Sequence, residues 1–334
     1  MSYRKEEKRI QWKLRRIRAI VFAVVFFIVV AVCIFAAFVP PETWKYYFEL
    51  PSVSDRKSGE LRIHCLDVGQ GDSTFIEFPD GKTMLIDGGN GTDESTTAIM
   101  RYLNALDVDY IDFVVLTHSD SDHCGGLDTV LTYKDVGTVY YPDVADATVN
   151  KEYASFFTAL SGSSCKKDFN RRGLNIQSDN TDYAYQCKWI WPYSTSNPGA
   201  EPVESNAQSA VLWLTYGDNQ ALFMGDAPAS VEETLCQQVA DGWLDLIGVD
   251  ITSIEWLKVS HHGSADGTTQ AFLETINVKT AVISCGKDNV YGHPNAQVYE
   301  RLTNQAESVY RTDKQGTILA TWKSDGKSNI KTEK

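Results

Sequence analysis

The sequence predicts an α/β domain of two sheets packed together with helices outside them, carried behind a single membrane-spanning helix. Three observations point there. Short apolar runs of strand length fall into two groups, and each group is followed by segments with helical spacing of apolar residues. Histidines and carboxylates gather in short polar loops just behind those runs, and strand ends are where α/β folds place their sites. An uncharged stretch of 21 residues, Ala19 to Val39, precedes all of them.

Taken in order, residues 1–18 are a basic tail with eight Lys/Arg against two Glu. Ala19–Val39 then spans about 30 Å as a helix, the thickness of a bilayer core. Only Lys45, Arg56 and Lys57 are basic in the twenty residues that follow. The positive-inside rule therefore keeps the N-terminus in the cytoplasm and exports the rest, as a single-pass protein of the cell membrane. A cleaved signal peptide is the competing reading, but its apolar core would be only about 7–15 residues long. Nor is Val30-Ala31-Val32-Cys33 a lipoprotein site, since Val32 is bulky where a small residue is needed. Residues 40–60 carry Pro, Ser and mixed charge and read as a stalk. Residues 61–323 alternate strand-like and helical patterns, a length normal for one α/β domain with two sheets. Residues 324–334 read as a loose polar tail.

Within the domain, Leu61–Leu66 and Ser73–Phe78 are strands joined by Asp67-Val68-Gly69-Gln70-Gly71-Asp72, and Thr83–Ile86 follows, ending in Asp87-Gly88-Gly89. Glu94–Leu106 sets Ala98, Ile99, Tyr102, Leu103 and Leu106 at helical spacing and leads into the strand Asp112–Leu116. In the second half, Ala210–Tyr216 and Gln220–Met224 flank Gly217-Asp218-Asn219, a hairpin signal. Leu257–Ser260 and Thr280–Cys285 are strand-like, while Val231–Val239, Thr269–Ile276 and Pro294–Leu302 read as helices. Val309–Arg311 and Thr317–Trp322 close the domain as strands.

The chemistry concentrates in Leu116-Thr117-His118-Ser119-Asp120-Ser121-Asp122-His123-Cys124-Gly125-Gly126. Carboxylates crowded this closely repel one another, and a bound cation is the natural way to stabilise them. Imidazole mixed with carboxylate suits zinc, manganese or iron better than calcium or magnesium. Of the six histidines, His118, His123, His261, His262 and His293 lie in short glycine-containing loops behind apolar runs, and Asp226 ends another such run. A solvated turn that happens to hold histidines does not account for this repeated choice of strand ends. His64 differs: it sits inside Leu61–Leu66 and is expected to be structural.

Eight bases and two acids give residues 1–18 a charge of +6, so the rest of this −13 chain totals −19. A nonspecific duplex-DNA binder shows a basic face instead. Lys166, Lys167, Arg171 and Arg172 form one basic cluster within Ser161–Asn180, a segment that reads as an insert; phosphate contact and a solvated loop are both open for it. Six cysteines outside the apolar stretch show no zinc-knuckle spacing. Cys65, Cys124 and Cys285 read as small buried residues. Cys165 and Cys187 flank the insert, and in an exported domain they are candidates for a bridge. Tyr183, Tyr185, Trp189, Trp191 and Tyr193 offer an aromatic cage for a cation. More simply, they are a strand feeding one face of the core.

The motifs Asp67-Val68-Gly69-Gln70-Gly71-Asp72, Leu85-Ile86-Asp87-Gly88-Gly89, His118-x-Asp120-x-Asp122-His123-x-Gly125-Gly126, Asn206-x-x-Ser209-x-Val211-Leu212, Met224-Gly225-Asp226-Ala227, Val259-Ser260-His261-His262-Gly263-Ser264 and Gly292-His293-Pro294 stand in one order. Together they resemble the metallo-β-lactamase superfamily, and within it the hydrolase domain of ComEC-type competence proteins. The resemblance implies an αββα sandwich of two mixed sheets with a metal site along one edge. It implies one or two divalent ions, zinc or manganese, held by His118, Asp120, Asp122, His123, Asp226 and His261. Asp122, His262 and His293 would act on water or substrate. Asp67, Gln70, Asp72, Asp87, Asn206, Ser209 and Ser264 would orient those groups or touch the substrate.

Two departures from the superfamily pattern matter. Asp120 stands where most members have the second histidine of His-x-His-x-Asp-His, and Asn206 stands where a later histidine usually completes the first metal site. Asp122, His123, His261 and Asp226 are thus expected to form the tighter site. His118 and Asp120, sharing Asp226, form a weaker one inclined to manganese. The expected function is a membrane-anchored, extracytoplasmic, metal-dependent hydrolase, a phosphodiesterase acting on nucleic acid (DNA or RNA) by metal-activated water. Two alternatives remain: a phosphocholine-esterase-like phosphodiesterase of cell-envelope polymers, and a degenerate binding module without catalysis. One membrane span cannot form a DNA pore, so only the hydrolase part of a competence channel is represented, and no protein partner is inferable.

Overall fold

A computed structural model of the chain describes residues 2–143, 150–192 and 205–334. They form two units, Met1–Leu50 and Pro51–Lys334. The first is a single helix, α1 (Ser2–Phe38), of which Glu7–Phe38 is long and apolar enough to cross a membrane. Pro40 ends it, because a proline disfavours helical geometry in the residue before it. A short turn of 3-10 helix, Pro41–Tyr46, then brings Trp44 against Phe35. The expected stalk is therefore divided. Its first half packs on the end of the helix, and its second half belongs to the folded unit, where Arg62 binds the carbonyl of Ser54 and Arg56 that of Pro79.

The folded unit begins β1 (Glu60–Cys65), β2 (Thr74–Glu77), β3 (Thr83–Ile86), α2 (Asp93–Ala105), β4 (Tyr110–Val115), α3 (Ser121–Cys124), α4 (Leu127–Tyr133) and β5 (Asp135–Tyr141). It continues α5 (Lys151–Gly162), β6 (Lys166–Phe169), β7 (Asn175–Gln177), β8 (Tyr185–Trp191), β9 (Val211–Tyr216), β10 (Asn219–Phe223), α6 (Ala229–Ala240) and β11 (Trp256–Lys258). It ends α7 (Gln270–Ile276), β12 (Thr280–Ile283), α8 (Ala296–Gln305), β13 (Ser308–Arg311), α9 (Thr312–Gln315), β14 (Ile318–Lys323) and β15 (Ser328–Thr332). Among the described residues these strands make an eight-stranded sheet, β15-β14-β1-β2-β3-β4-β5-β6, and a seven-stranded sheet, β13-β12-β11-β10-β9-β8-β7. Both sheets are mixed, as expected. Each switches from antiparallel to parallel pairing near its middle, at β3/β4 in one and at β10/β11 in the other.

Alternation within the strands builds the sandwich. Leu61, Ile63 and Cys65 of β1 meet Tyr185, Cys187 and Trp189 of β8 in one core between the sheets. The opposite face of the seven-stranded sheet packs Leu222 and Leu257 against Val231, Phe272 and Leu302 of its helices. Burying each such side chain contributes roughly 1.5–3 kcal/mol.

Two expectations fail here for physical reasons. The polar tail is not loose: Asp325-Gly326 turns the chain back, with Gly326 at φ +78°, and β15 pairs along β14. Its polar alternation hides an edge strand whose outer face is solvated. The segment read as an insert is not a solvated loop either, since β6 adds an edge strand to one sheet and β7 to the other. Cys165 and Cys187 are free thiols; Cys187 lies buried in the sandwich core, and Cys165 meets the Ser163 hydroxyl.

His64 is structural, as anticipated, and fully buried. Its Nε2 lies 2.9 Å from the Glu77 carboxylate, which Arg62 also engages, and its Nδ1 lies 2.8 Å from the Tyr102 hydroxyl. Those partners satisfy a neutral imidazole protonated on Nε2. Burial holds the pKa below 6.5 despite the pull of Glu77. Below pH 6.5 the unfolded chain protonates this histidine while the folded chain resists. Its stabilising contribution is thus complete above pH 6.5 and is lost as pH falls through that value toward the folded pKa. Thermal midpoints of the full chain and of His64→Gln, measured from pH 8 to 5, should show the wild-type advantage shrinking below about pH 6.5. A constant difference across that range would count against this assignment.

Candidate metal centre

The two switch points meet. Loops leaving the C-terminal ends of β3, β4, β10, β11 and β12 converge, and their short connections fix the side chains that matter. Asp87, at the end of β3, takes φ +60° and is buried. One of its oxygens accepts from the Thr117 backbone N–H at 2.8 Å, and the other accepts from the Thr117 hydroxyl and meets His123 Nδ1, each at 2.8 Å. With Nδ1 so occupied, His123 turns its Nε2 toward Asp226, 3.1 Å away. His118 is held through Nδ1 by the Thr117 hydroxyl, and its Nε2 lies 3.7 Å from Asp120 and 3.8 Å from Asp226. Asp226 follows β10, where Ser209 accepts a bond from its backbone N–H.

Close backbone approach needs glycine here. A Cβ on Gly71, at φ +134°, would stand 2.5 Å from the carbonyl oxygen of Asp122. One on Gly125 would collide with the backbone of Gly91. These contacts press the loop 67–72 onto the loop 118–126, and Asp72 N–H donates to the Asp122 carbonyl at 3.0 Å.

The turn after β11 sets His261 and His262 apart. Both are left-handed, at φ 46° and 53°, a strained state for residues with a Cβ. His262 points inward: it is buried, its Nδ1 meets the Ser284 carbonyl at 3.0 Å, and its Nε2 lies 3.1 Å from Asp122. His261 points to the rim, with Nδ1 on Asp266 at 2.8 Å and Nε2 3.6 Å from Asp226. The expected set was Asp122, His123, His261 and Asp226; here His262 lies beside Asp122 and His123, and His261 faces Asp226. Glu232 steadies the neighbouring loop by accepting the N–H groups of Thr268 and Thr269.

Charge is the dominant feature. Burial works against ionising Asp226 and Asp122, yet the surrounding imidazoles hold Asp226 well below its ordinary pKa and Asp122 down to about 2. The reciprocal effect lifts His262 to about 10, against burial, through Asp226, Asp72 and Asp122. His123 likewise rises well above 6.5 through Asp226 and Asp87. His118, by contrast, is lowered by burial and by the His123 charge. Lys258 is itself buried, and its ammonium sits 2.5 Å from Asp72.

The donor set fits a divalent cation. His118 Nε2 is buried with no hydrogen bond, while His123 Nε2 and Asp226 Oδ1 face each other at 3.1 Å and Asp72 Oδ1 lies 3.2 Å from His262 Nδ1. Leaving the His118 nitrogen unsatisfied costs about 1–3 kcal/mol. Ligand atoms of His118, His123 and Asp226, and separately of Asp122, His123 and His262, lie within 4.8 Å of one another. Ions bound about 2.0–2.2 Å from each ligand can be reached by such sets. The centre opens into a cavity of about 300 Å³ bounded by Asp120, Asn150, Tyr291 and His293.

Most of the anticipated residues meet here, but not all. Gln70 lines the cavity and holds Gly286 N–H at 3.0 Å. Asn206 lies 3.4 Å from His261, and Ser264 donates its backbone N–H to the His261 carbonyl. Asp67 turns away, pairing with Lys334 at 3.2 Å. Tyr185 and Trp189 are spent in the core, so the strand reading holds over the cage there, while Tyr193 lies outside the described residues. Lys258, Asp266, Asn150 and Tyr291 were not anticipated. Only Lys258 left a signal, a charge inside the apolar run Leu257–Val259.

Residues 66–185 match the family model of the metallo-beta-lactamase superfamily. The chain is 27% identical over 281 residues to ComE operon protein 3 of Bacillus subtilis, covering 80% of this chain and 34% of that protein. It is 27% identical over 265 residues to Recombination protein 2 of Haemophilus influenzae, covering 77% and 28% respectively. Competence protein ComA of Neisseria gonorrhoeae matches at 26% identity, over 78% of this chain and 32% of its own length. The chain thus spans about a third of the length of these relatives. Among solved structures, a CmlA beta-hydroxylase mutant superposes with a TM-score of 0.47 at 11% identity, over 80% of this chain and 55% of its own. In its motifs, its mixed sheets and its His/Asp clusters the chain is similar to the metallo-β-lactamase superfamily and, within it, to the hydrolase domain of ComEC-type competence proteins.

Proposed function

We propose that the protein is a membrane-anchored, extracytoplasmic phosphodiesterase that cleaves nucleic acid with the help of divalent metal. The observation that carries this reading is the buried cluster of imidazole and carboxylate ligand atoms beside an open polar cavity. The competence and recombination proteins among its relatives favour a nucleic-acid substrate. The deeper ion would be held by Asp122, His123 and His262, with Asp226 shared. The outer one would be held by His118, Asp120, Asp226 and His261. Zinc or manganese suits both sets.

When bound, such ions make water more acidic and neutralise charge on a phosphoryl oxygen. The chain's own residues do the rest. Asp87 fixes the His123 tautomer, and the Ser284 carbonyl fixes that of His262. Asp122 is held ionised and can orient water. His293, whose Nδ1 has no partner, is placed to bond a substrate oxygen or protonate the leaving group.

The two sites should differ in affinity, because Asn206 offers only a neutral amide beside His261. Purified full-length protein is expected to retain one ion per chain and to need added manganese or zinc for full hydrolysis of bis(p-nitrophenyl) phosphate. Elemental analysis with this assay should show that His123→Ala loses both metal and activity, and that Asn206→His lowers the requirement for added ion. Two equally tight ions, unchanged in Asn206→His, would rule out this division. Asp87→Asn, which removes the carboxylate behind His123, should weaken metal binding by about 10- to 100-fold. Metal titration with unchanged affinity would show that Asp87 does not set the ligand.

The basic residues 1–18 ahead of the apolar helix support a cytoplasmic N-terminus under the positive-inside rule. Protease added to protoplasts should remove the folded unit and leave an N-terminal tag intact. A folded unit protected until lysis would reverse the orientation.

A further inference from the structure

The loop after β12 carries two large apolar side chains into solvent at the mouth of the metal centre: Val290 is 92% exposed and Tyr291 67% exposed. The loop is braced from within. Asn289 donates to the carbonyls of Gly286 and His293 at 2.9 and 2.7 Å and accepts the His293 N–H at 3.0 Å. Gly286 is tied in turn to Gln70. A tightly braced loop that holds an aromatic ring out in water gains nothing from that ring in folding. Such exposed apolar surface beside a polar cavity marks a contact site.

The ring also stands in a series. His262, inside the centre, stacks on His293 at 6.1 Å between centroids and 25° between planes. His293 stacks on Tyr291 at 5.7 Å and 24°. The series of rings therefore leads from the buried ligands to Tyr291, which is 67% exposed. Tyr291 lines the same cavity as Asp122 and Asp226, so a group on that ring adjoins whatever phosphate enters the centre.

We propose that Tyr291 stacks an unpaired nucleobase of the nucleotide next to the scissile phosphodiester, so that the substrate is single-stranded nucleic acid. This rests on the phosphodiesterase reading above and names its substrate class. Every base has a π-face, so a platform of this kind is tolerant of sequence. A base inside a duplex has no face to offer without being flipped out. A quaternary ammonium group calls for several rings around it, whereas Tyr291 is one exposed ring stacked on His293.

The test uses the full chain in detergent with manganese. Fluorescence anisotropy compares a short labelled oligothymidylate with a strand of the same length made wholly of abasic sites, and hydrolysis of both is followed in parallel. The wild type should bind the base-bearing strand about tenfold more tightly, Tyr291→Ala should erase that preference, and Tyr291→Trp should keep it. In hydrolysis, Tyr291→Ala should raise KM for the base-bearing strand by a similar factor and change kcat much less. Equal binding of both strands by the wild type, or a preference that survives in Tyr291→Ala, overturns the proposal. So does displacement of the strand by phosphocholine from the wild type but not from Tyr291→Ala, which would give the ring to a cationic headgroup. Base-selective binding through Tyr291 without cleavage of any phosphodiester would keep the stacking site and remove the hydrolase reading. Cleavage without base preference would do the opposite.

Discussion

Three carboxylates, Asp72, Asp122 and Asp226, stand around the same imidazoles in a largely buried space, and the surroundings answer to that charge. Removing a carboxylate from water is tolerable only when it is paired or bound to metal. Lys258 pairs with Asp72 from within a buried strand. Among the described residues, Asp122 and Asp226 have no such fixed cation. Without a metal, the balance falls on His123 and His262, which is why both are drawn toward the protonated state. Any ion that enters must displace those protons, so the centre couples metal uptake to proton release.

The same constraint explains the architecture. No single loop can surround such a charge, so each half of the chain sends part of the set. The first sheet supplies Asp72, His118, Asp122 and His123; the second supplies Asp226, Lys258 and His262. Cross-bonds hold the halves in register, among them the Ser284 hydroxyl on the Gly71 carbonyl at 2.7 Å. Glycine serves the same packing: a Cβ on Gly286 of the second half would stand 2.7 Å from the Gln70 nitrogen of the first. Rigidity at the centre is thus a product of the whole sandwich and not of any local motif.

What the sequence discloses follows from this division. Strands with clear apolar runs and the clustered motif after β4 are legible, because local pattern alone determines them. The choice between His261 and His262 is not. Two adjacent residues face opposite ways according to the turn that holds them, and that turn is a consecutive left-handed pair no propensity foretells. Asp266 was equally hidden, since its role comes from the folding of its loop onto His261. β15 escaped because an edge strand with one wet face looks like a tail. The suggestion of a Cys165–Cys187 bridge came from flanking positions alone and ignored that the strand of Cys187 turns it into the core.

The segment first read as an insert has a further consequence. Its strands β6 and β7 are the outermost members of the two sheets, so a few residues close off one open margin of each. Unpaired sheet margins invite association with a second copy, and charged side chains along them discourage it. Lys166 and Lys167 are exposed on β6, and Arg171 just beyond it is paired with Asp168. The exposed lysines of β6 thus set like charge along that margin, which opposes its pairing with the same margin of another copy.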